Sequence, residues 1–277
     1  MSDSLYRFIS FDSFINLLVS QKTRYINPLL WEDSYESVVY RQMMDKQMNR
    51  KVISYFYHEW KDPRKVVNLY AKLWYERTCS FAKCLTKTEE NDTMWRIYRY
   101  NDKSVRIEVT YDGLKECIDQ YQDYLLVLQD IVYDQKDCKP REQAILHTMS
   151  VGNEGICNFC HKQELFMHEN EKRVLILDQS RRKEFEQILN RCDLCECLDS
   201  CSEEEIVERI AFCVESIMEF RREKEEVFVH INPKRYIKSV LVNPFADEQF
   251  TEIVKTMCLN FGIQCFKGKS TIYELDF

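Results

Sequence analysis

Phe166–Leu177 reads FMHENEKRVLIL, and the strand expected there governs how the rest of the chain is read. Side chains alternate along a strand, so Glu169, Glu171 and Arg173 are expected on one face, continued by Leu175 and Leu177. The other face would carry His168, Asn170, Lys172, Val174 and Ile176. Such a strand holds a charged row at its start and enters a core at its end, the arrangement by which a sheet presents catalytic groups to a cleft. The competing reading of the same residues is an exposed hairpin end with a Glu171–Arg173 ion pair.

Working outward, Leu5–Ile9 reads as a short strand, and Ser10 as the cap of a helix with apolar face Phe11, Phe14, Leu17 and Leu18. Arg24–Ile26 is a brief strand, Glu36–Tyr57 a helix, and Pro63–Arg77 a second helix with Asp62 at the capping position and Pro63 in the first turn. Strands are expected at Ser80–Leu85, Ser104–Thr110 and Leu125–Tyr133, a Trp95-bearing helix between the first two, and a helix at Pro140–Ser150. Arg181–Arg191 and Glu203–Glu226 are charged amphipathic helices. Val227–Ile231 and Ser239–Val242 follow as strands, then a helix at Glu248–Phe261 and a terminal hairpin turning at Gly268. Helices and strands are interspersed without regular alternation, which predicts an α+β fold with a mixed, mainly antiparallel sheet and flanking helices. No repeat or linker divides the chain, so residues 1–277 read as one domain with a Cys-rich helical insertion at about 178–226.

Composition removes several function classes. With 31% charged and 45% hydrophobic residues and no long apolar run, the chain reads as a globular protein without membrane association. Thirteen cysteines without an export signal point to reduced thiols in the cytoplasm. A net charge of -7 gives no footprint for nonspecific nucleic-acid binding. Only five glycines occur and none form a Gly-x-Gly-x-x-Gly turn, so a Rossmann site is not expected. Gly262–Ser270 ends like a phosphate loop, but five residues separate its glycines instead of four.

The cysteines offer a second candidate site. Cys157-x-x-Cys160 and Cys192-x-x-Cys195, with Cys197 nearby, have spacings suited to tetrahedral zinc, although a long segment separates the pairs. Free thiols are the alternative.

Taken in order, Leu5-Tyr6-Arg7-Phe8, Trp31–Glu36, Cys84-Leu85-Thr86, Met94-Trp95, Val105–Glu108, Glu169-x-Glu171-x-Arg173, Ile237–Pro244 and Ser270–Tyr273 form a set that resembles the bacterial family catalogued as domain of unknown function 2971. The chain departs from that pattern at Trp31–Glu36, where Glu-Asp-Ser replaces Asn-Asp-Pro, and at His168, which stands in place of Tyr. The order of parts also looks like the ADP-ribosyltransferase fold, whose members bind NAD in a cleft between two small sheets. That resemblance implies NAD as substrate and a macromolecular acceptor, a nucleic acid or a protein. Families of this size and type include toxins and phage-defence effectors.

By the same analogy Arg7, with the neighbouring Ser10, would contact the phosphate or ribose. Thr86 and Tyr98, beside Trp95, would line the nicotinamide pocket, and Glu171 would bind the nicotinamide ribose. Glu169 would orient or deprotonate the acceptor, and Arg173 would fix Glu171 or hold pyrophosphate. Two other classes use the same residues. One is a metal-dependent nuclease with Asp33, Glu36, Glu169 and Glu171 gathering a divalent cation; the other is a non-catalytic binding or effector module.

Overall fold

A computed structural model describes residues 4–37, 40–41, 43–134, 159–192 and 201–273. Helix starts follow local capping chemistry. Ser10 Oγ accepts from Ser13 N at the head of helix Phe11–Ser20, and Asp62 accepts from Arg64 N and Lys65 N ahead of Pro63–Cys79. Asn91 caps Asp92–Ile97, Thr110 caps Tyr111–Ile118, and Ser202 with Glu205 closes a capping box on Glu203–Ile217.

Nine strands build one α+β sheet: β1 (Ser4–Ser10), β2 (Lys22–Ile26), β3 (Ser80–Thr86), β4 (Ser104–Thr110) and β5 (Tyr124–Asp130), then, after a separate parallel pair β6 (Val132–Asp134) and β7 (His161–Gln163), β8 (Glu171–Asp178), β9 (Glu226–His230), β10 (Ile237–Val242) and β11 (Cys265–Lys269). The pairing is antiparallel except at β10–β11. Two half-sheets result, β11-β10-β4-β1 and β9-β2-β3-β8-β5. They meet where β1 touches β3 at the single pair Tyr6↔Thr86. β8 pairs with β3 along its whole length, from Ser80↔Leu177 to Thr86↔Glu171. The other edge of β3 is therefore shared, β1 joining at Thr86 and β2 at Ala82, and the sheet forks between them.

Apolar residues on the two faces enter different cores. Val174 and Ile176 of β8 join Phe81, Leu85, Phe14 and Val254 in one cluster, while Leu175 joins Ala82, Trp74, Phe56 and Ile210 in the other. The latter includes both amphipathic helices of residues 182–217, through Phe185, Ile206 and Ile210.

Five expected elements differ, one of them the helix expected over Glu203–Glu226, which ends at Ile217, with Glu226 opening β9. β8 begins at Glu171, not Phe166: Glu164–Glu169 is a 3-10 turn, and Asn170 adopts φ 43, a left-handed conformation that Asn tolerates and a strand cannot contain. The helix expected from Glu36 starts at Lys46, capped by Asp45, after a 3-10 turn at Ser34–Ser37. The strand expected through Tyr133 breaks at Ile131 into β5 and β6. Of the terminal hairpin the described residues show one strand, β11, which returns over helix Glu248–Asn260 to lie parallel to β10; Gly268, at φ 83, sits where the register shifts, so it forms a bulge instead of a turn, and residues 274–277 lie outside the described residues. The helix expected at Pro140–Ser150 lies outside the described residues.

Candidate functional site

A cavity of about 300 Å3 opens at the fork. β1 contributes Tyr6, Arg7 and Ser10, β2 contributes Arg24, and β3 contributes Lys83, Cys84 and Thr86; Trp31, Met94, Tyr98, Glu169 and Glu171 complete much of the wall. The sequence thus brings Arg7, Ser10, Thr86, Tyr98, Glu169 and Glu171 to one place, although they come from separate elements.

Glu171 is held by neighbours on three sides. It is 3% exposed, its Oε1 accepts from Arg173 Nε at 2.8 Å, and its Oε2 lies 3.1 Å from Lys162 Nζ. Its backbone N–H donates to the Tyr133 hydroxyl. Burial acts to raise its carboxyl pKa, but Arg173, Lys162 and the neighbouring Cys84 thiol outweigh burial and hold it below the usual value. Cys84 opens into the cavity; enclosure by the surrounding strands and the Glu171 charge push its thiol well above the ordinary range.

Lys162 is the hub of this cluster. Its ammonium lies 2.6 Å from Glu169, 3.1 Å from Glu171 and 3.4 Å from Glu36, and packs over the Phe166 ring. The three carboxylates outweigh burial and raise its pKa. Glu36 is affected more by burial than by Arg173 and Lys162, so its carboxyl is raised. No group of three or more His, Cys, Asp or Glu side chains with metal-holding geometry occurs among the described residues. Glu36, Glu169 and Glu171 converge on an ammonium, while Asp33 Oδ1 accepts from Tyr35 N in a local turn.

Several expected roles change. Arg173 is fully buried behind Glu171: it bridges Glu171 and Glu36, donates to the Phe159 carbonyl and stacks 4.4 Å over Trp31, so it orients Glu171 and does not reach a ligand. Trp95 is also fully buried; its indole packs edge-on against Phe8 and donates to Glu90, which makes it the support of the Met94–Tyr98 wall. Ser10 lines the cavity, but its hydroxyl is committed to Ser13 at the helix cap. Thr86 Oγ1 accepts from Thr88 N, and the hydroxyl hydrogen remains for a ligand. Glu169 reaches the site from the 3-10 turn, not by strand alternation from Glu171.

Of the expected zinc ligands, Cys157 and Cys195, and also Cys197, lie outside the described residues. Cys160 is buried, and Cys192 is a half-buried free thiol within 3.6 Å of the Ile188 and Cys213 carbonyls.

Sequence reasoning missed Lys162 and Lys83. Lys162 stands two residues after Cys160, and Lys83 lies among Phe81, Ala82, Cys84 and Leu85; neither stands in a motif. No family model matches the chain, and no match was found among curated proteins or solved structures. Among the described residues no helix is long and apolar enough to cross a membrane.

Proposed function

We propose that this cavity cleaves the nicotinamide–ribose bond of NAD and transfers ADP-ribose to a macromolecular acceptor, as an enzyme resembling the ADP-ribosyltransferases. The observation that carries the proposal is Glu171: a carboxylate held below its usual pKa and fixed in direction by Arg173 and Lys162 on the wall of the cavity at the fork. Arg173, Lys162 and the Cys84 thiol use three of the four lone-pair sites of the Glu171 carboxylate, which leaves one for a ribose hydroxyl.

When the C–N bond breaks, its electron pair leaves with nicotinamide and the ribose C1′ gains oxocarbenium character, which a preorganised negative group stabilises. The acceptor then supplies the electron pair of the new bond at C1′. Its proton passes to Glu169 or to water. Thr86 and Tyr98 bound the nicotinamide end, and Arg7 meets the phosphate or ribose. A cavity of about 300 Å3 is small for a ligand site, so it receives the nicotinamide–ribose half with the remainder along its mouth.

The test is incubation of the wild-type protein with labelled NAD and a bacterial lysate including its nucleic acids. Release of nicotinamide and label in a macromolecule are expected. No NAD binding by calorimetry together with no labelled product would overturn the proposal. Glu169→Gln is expected to impair transfer to the acceptor more than hydrolysis of NAD, because water can replace the acceptor without a base dedicated to it.

A further inference from the structure

The wall formed by Met94 and Tyr98 is held differently from the rest of the cavity. It belongs to the segment between β3 and β4, whose six-residue helix Asp92–Ile97 is too short to hold itself together in water. Its apolar support is a cluster separate from the two cores, with Phe8 of β1 and Leu241 of β10 packed against Met94 and Trp95. Phe8 and Leu241 both pair with Arg106, so the three stand in one row on a single sheet face; through Tyr6↔Thr86 and Thr86↔Glu171 that face is also the face of Glu171. The helix therefore covers the fork on the Glu171 side.

What ties it down is the Ser270–Tyr273 set, which the cavity itself does not use. Glu89 and Glu90 just ahead of the helix, and Asp92 in its first turn, each meet one residue from the end of the described chain. Lys267 Nζ lies 2.8 Å from Glu89, the Ser270 hydroxyl donates to Glu90, and the Tyr273 hydroxyl donates to Asp92. Glu90 is shared, because the same oxygen accepts from the Trp95 indole at 2.8 Å. Ser270 is anchored on the sheet by its N–H to the Val242 carbonyl, and the Tyr273 ring packs on Phe245. Glu89 and Tyr273 are exposed, so these ties face water and are individually weak.

Beneath the segment lies Arg106, which is fully buried. Its Nη1 donates to the Glu89 carbonyl at 3.0 Å and its guanidinium sits 4.8 Å from the Tyr6 ring centroid, but Nε and Nη2 have no hydrogen-bond partner among the described residues. A closed cover leaves those donors unsatisfied; opening hydrates them and offsets part of the apolar contact that is lost. At its far end the segment enters β4 through Asn101 and Asp102, both left-handed at φ 55 and φ 64, a turn of the kind that absorbs backbone rotation between packed elements.

We infer that helix Asp92–Ile97 is a lid on the cavity and that Lys267–Tyr273 is the latch that sets how often the lid opens. A small separate cluster, ties that face water and an under-satisfied guanidinium together make local opening cheaper than global unfolding. Opening withdraws Met94 and Tyr98 and uncovers Cys84, whose thiol reacts slowly in the closed cavity because burial and the Glu171 charge keep it protonated. The lid needs no ligand, so the inference stands apart from the function proposed above.

Two readouts on the full-length protein test it: amide hydrogen exchange, and alkylation of Cys84 by iodoacetamide relative to the exposed Cys265, located by peptide mass spectrometry. In the wild type the amides of Asp92–Tyr98 are expected to exchange through an opening that leaves β4 protected. Exchange of both only together, by global unfolding, would overturn the lid. Ser270→Ala combined with Tyr273→Phe is expected to speed both Asp92–Tyr98 exchange and Cys84 alkylation at least about fivefold, the scale of one or two lost hydrogen bonds, with β4 exchange unchanged. Unchanged rates in that double variant would overturn the latch, and an equal rise in β4 would make the segment part of the global fold and overturn it too. Should the double variant not fold, the wild-type exchange pattern and Tyr273→Phe alone decide on the same criteria. Absence of NAD cleavage would sink the transferase proposal alone, since neither readout involves NAD.

Discussion

On one side of the fork Glu36, Glu169, Glu171, Lys162 and Arg173 form a cluster in which each charge touches an opposite one. On the other side Arg7 and Lys83 lie beside Tyr25 and Cys117, and among the described residues no carboxylate stands against them. The first arrangement tolerates burial because attraction within it offsets lost hydration, and its mutual contacts fix one direction for Glu171. The second leaves lost hydration uncompensated. Interlocking charges hold a carboxylate in its charged form and in one direction; burial without a counter-charge, with Arg7 nearby, pushes the Lys83 ammonium well below its usual pKa.

The strongest way to break this contrast is Arg173→Met, which leaves Glu36 and Glu171 buried beside one remaining cation. A loss of about 3–5 kcal/mol in denaturant unfolding is expected. A loss below about 1 kcal/mol would show that the cluster does not orient Glu171. Next is Glu171→Gln, expected to lower nicotinamide release at least about a hundredfold and also to lower the melting temperature, since Arg173 and Lys162 lose part of their counter-charge.

Glu76→Gln sharpens the contrast on the first side. The Glu76 carboxyl is 4% exposed, accepts from Tyr40, and is raised to about 7 because burial exceeds the help from Lys72 and Tyr40. A raised carboxyl binds more protons folded than unfolded, so it lowers stability as pH climbs from its ordinary 4.5 to about 7. Glu76→Gln is therefore expected to be more stable than wild type by about 2 kcal/mol above that window and equal below it, read from unfolding curves across pH. The smallest effect is Lys83→Met, a gain of about 1–2 kcal/mol in denaturant unfolding; a comparable loss would mean that the ammonium is compensated after all.

What the sequence made legible was local. Ser10 and Asp62 announce helix starts because a cap acts within three residues. Glu171, Arg173, Leu175 and Leu177 do share a face because strand alternation is a backbone property, as their partners Thr86, Cys84, Ala82 and Ser80 confirm. Convergence was less legible. Lys162 and Glu36 reach Glu171 from distant elements, and nothing in their neighbours signals it. Burial was not decided in advance for Trp95 and Arg173, since an aromatic or a guanidinium in a motif looks the same whether it meets ligand or core; of the two roles open to Arg173, the structure has it fixing Glu171. The parallel placement of β11 depends on how helix Glu248–Asn260 crosses the sheet, which the Gly268 turn signal obscured.

The partnering of β2 bears on how the chain emerges from a ribosome. Tyr25 pairs with Val227, and β2 touches β3 only at Ile26↔Ala82, so its main partner is synthesised about 200 residues later. At 5–20 residues per second that is a wait of roughly 10–40 s with an unpaired strand edge. Lys22 and Arg24 occupy the outward positions of that strand. Their charges discourage pairing with other nascent chains during the wait, so these two residues guard solubility before the fold exists as well as after it.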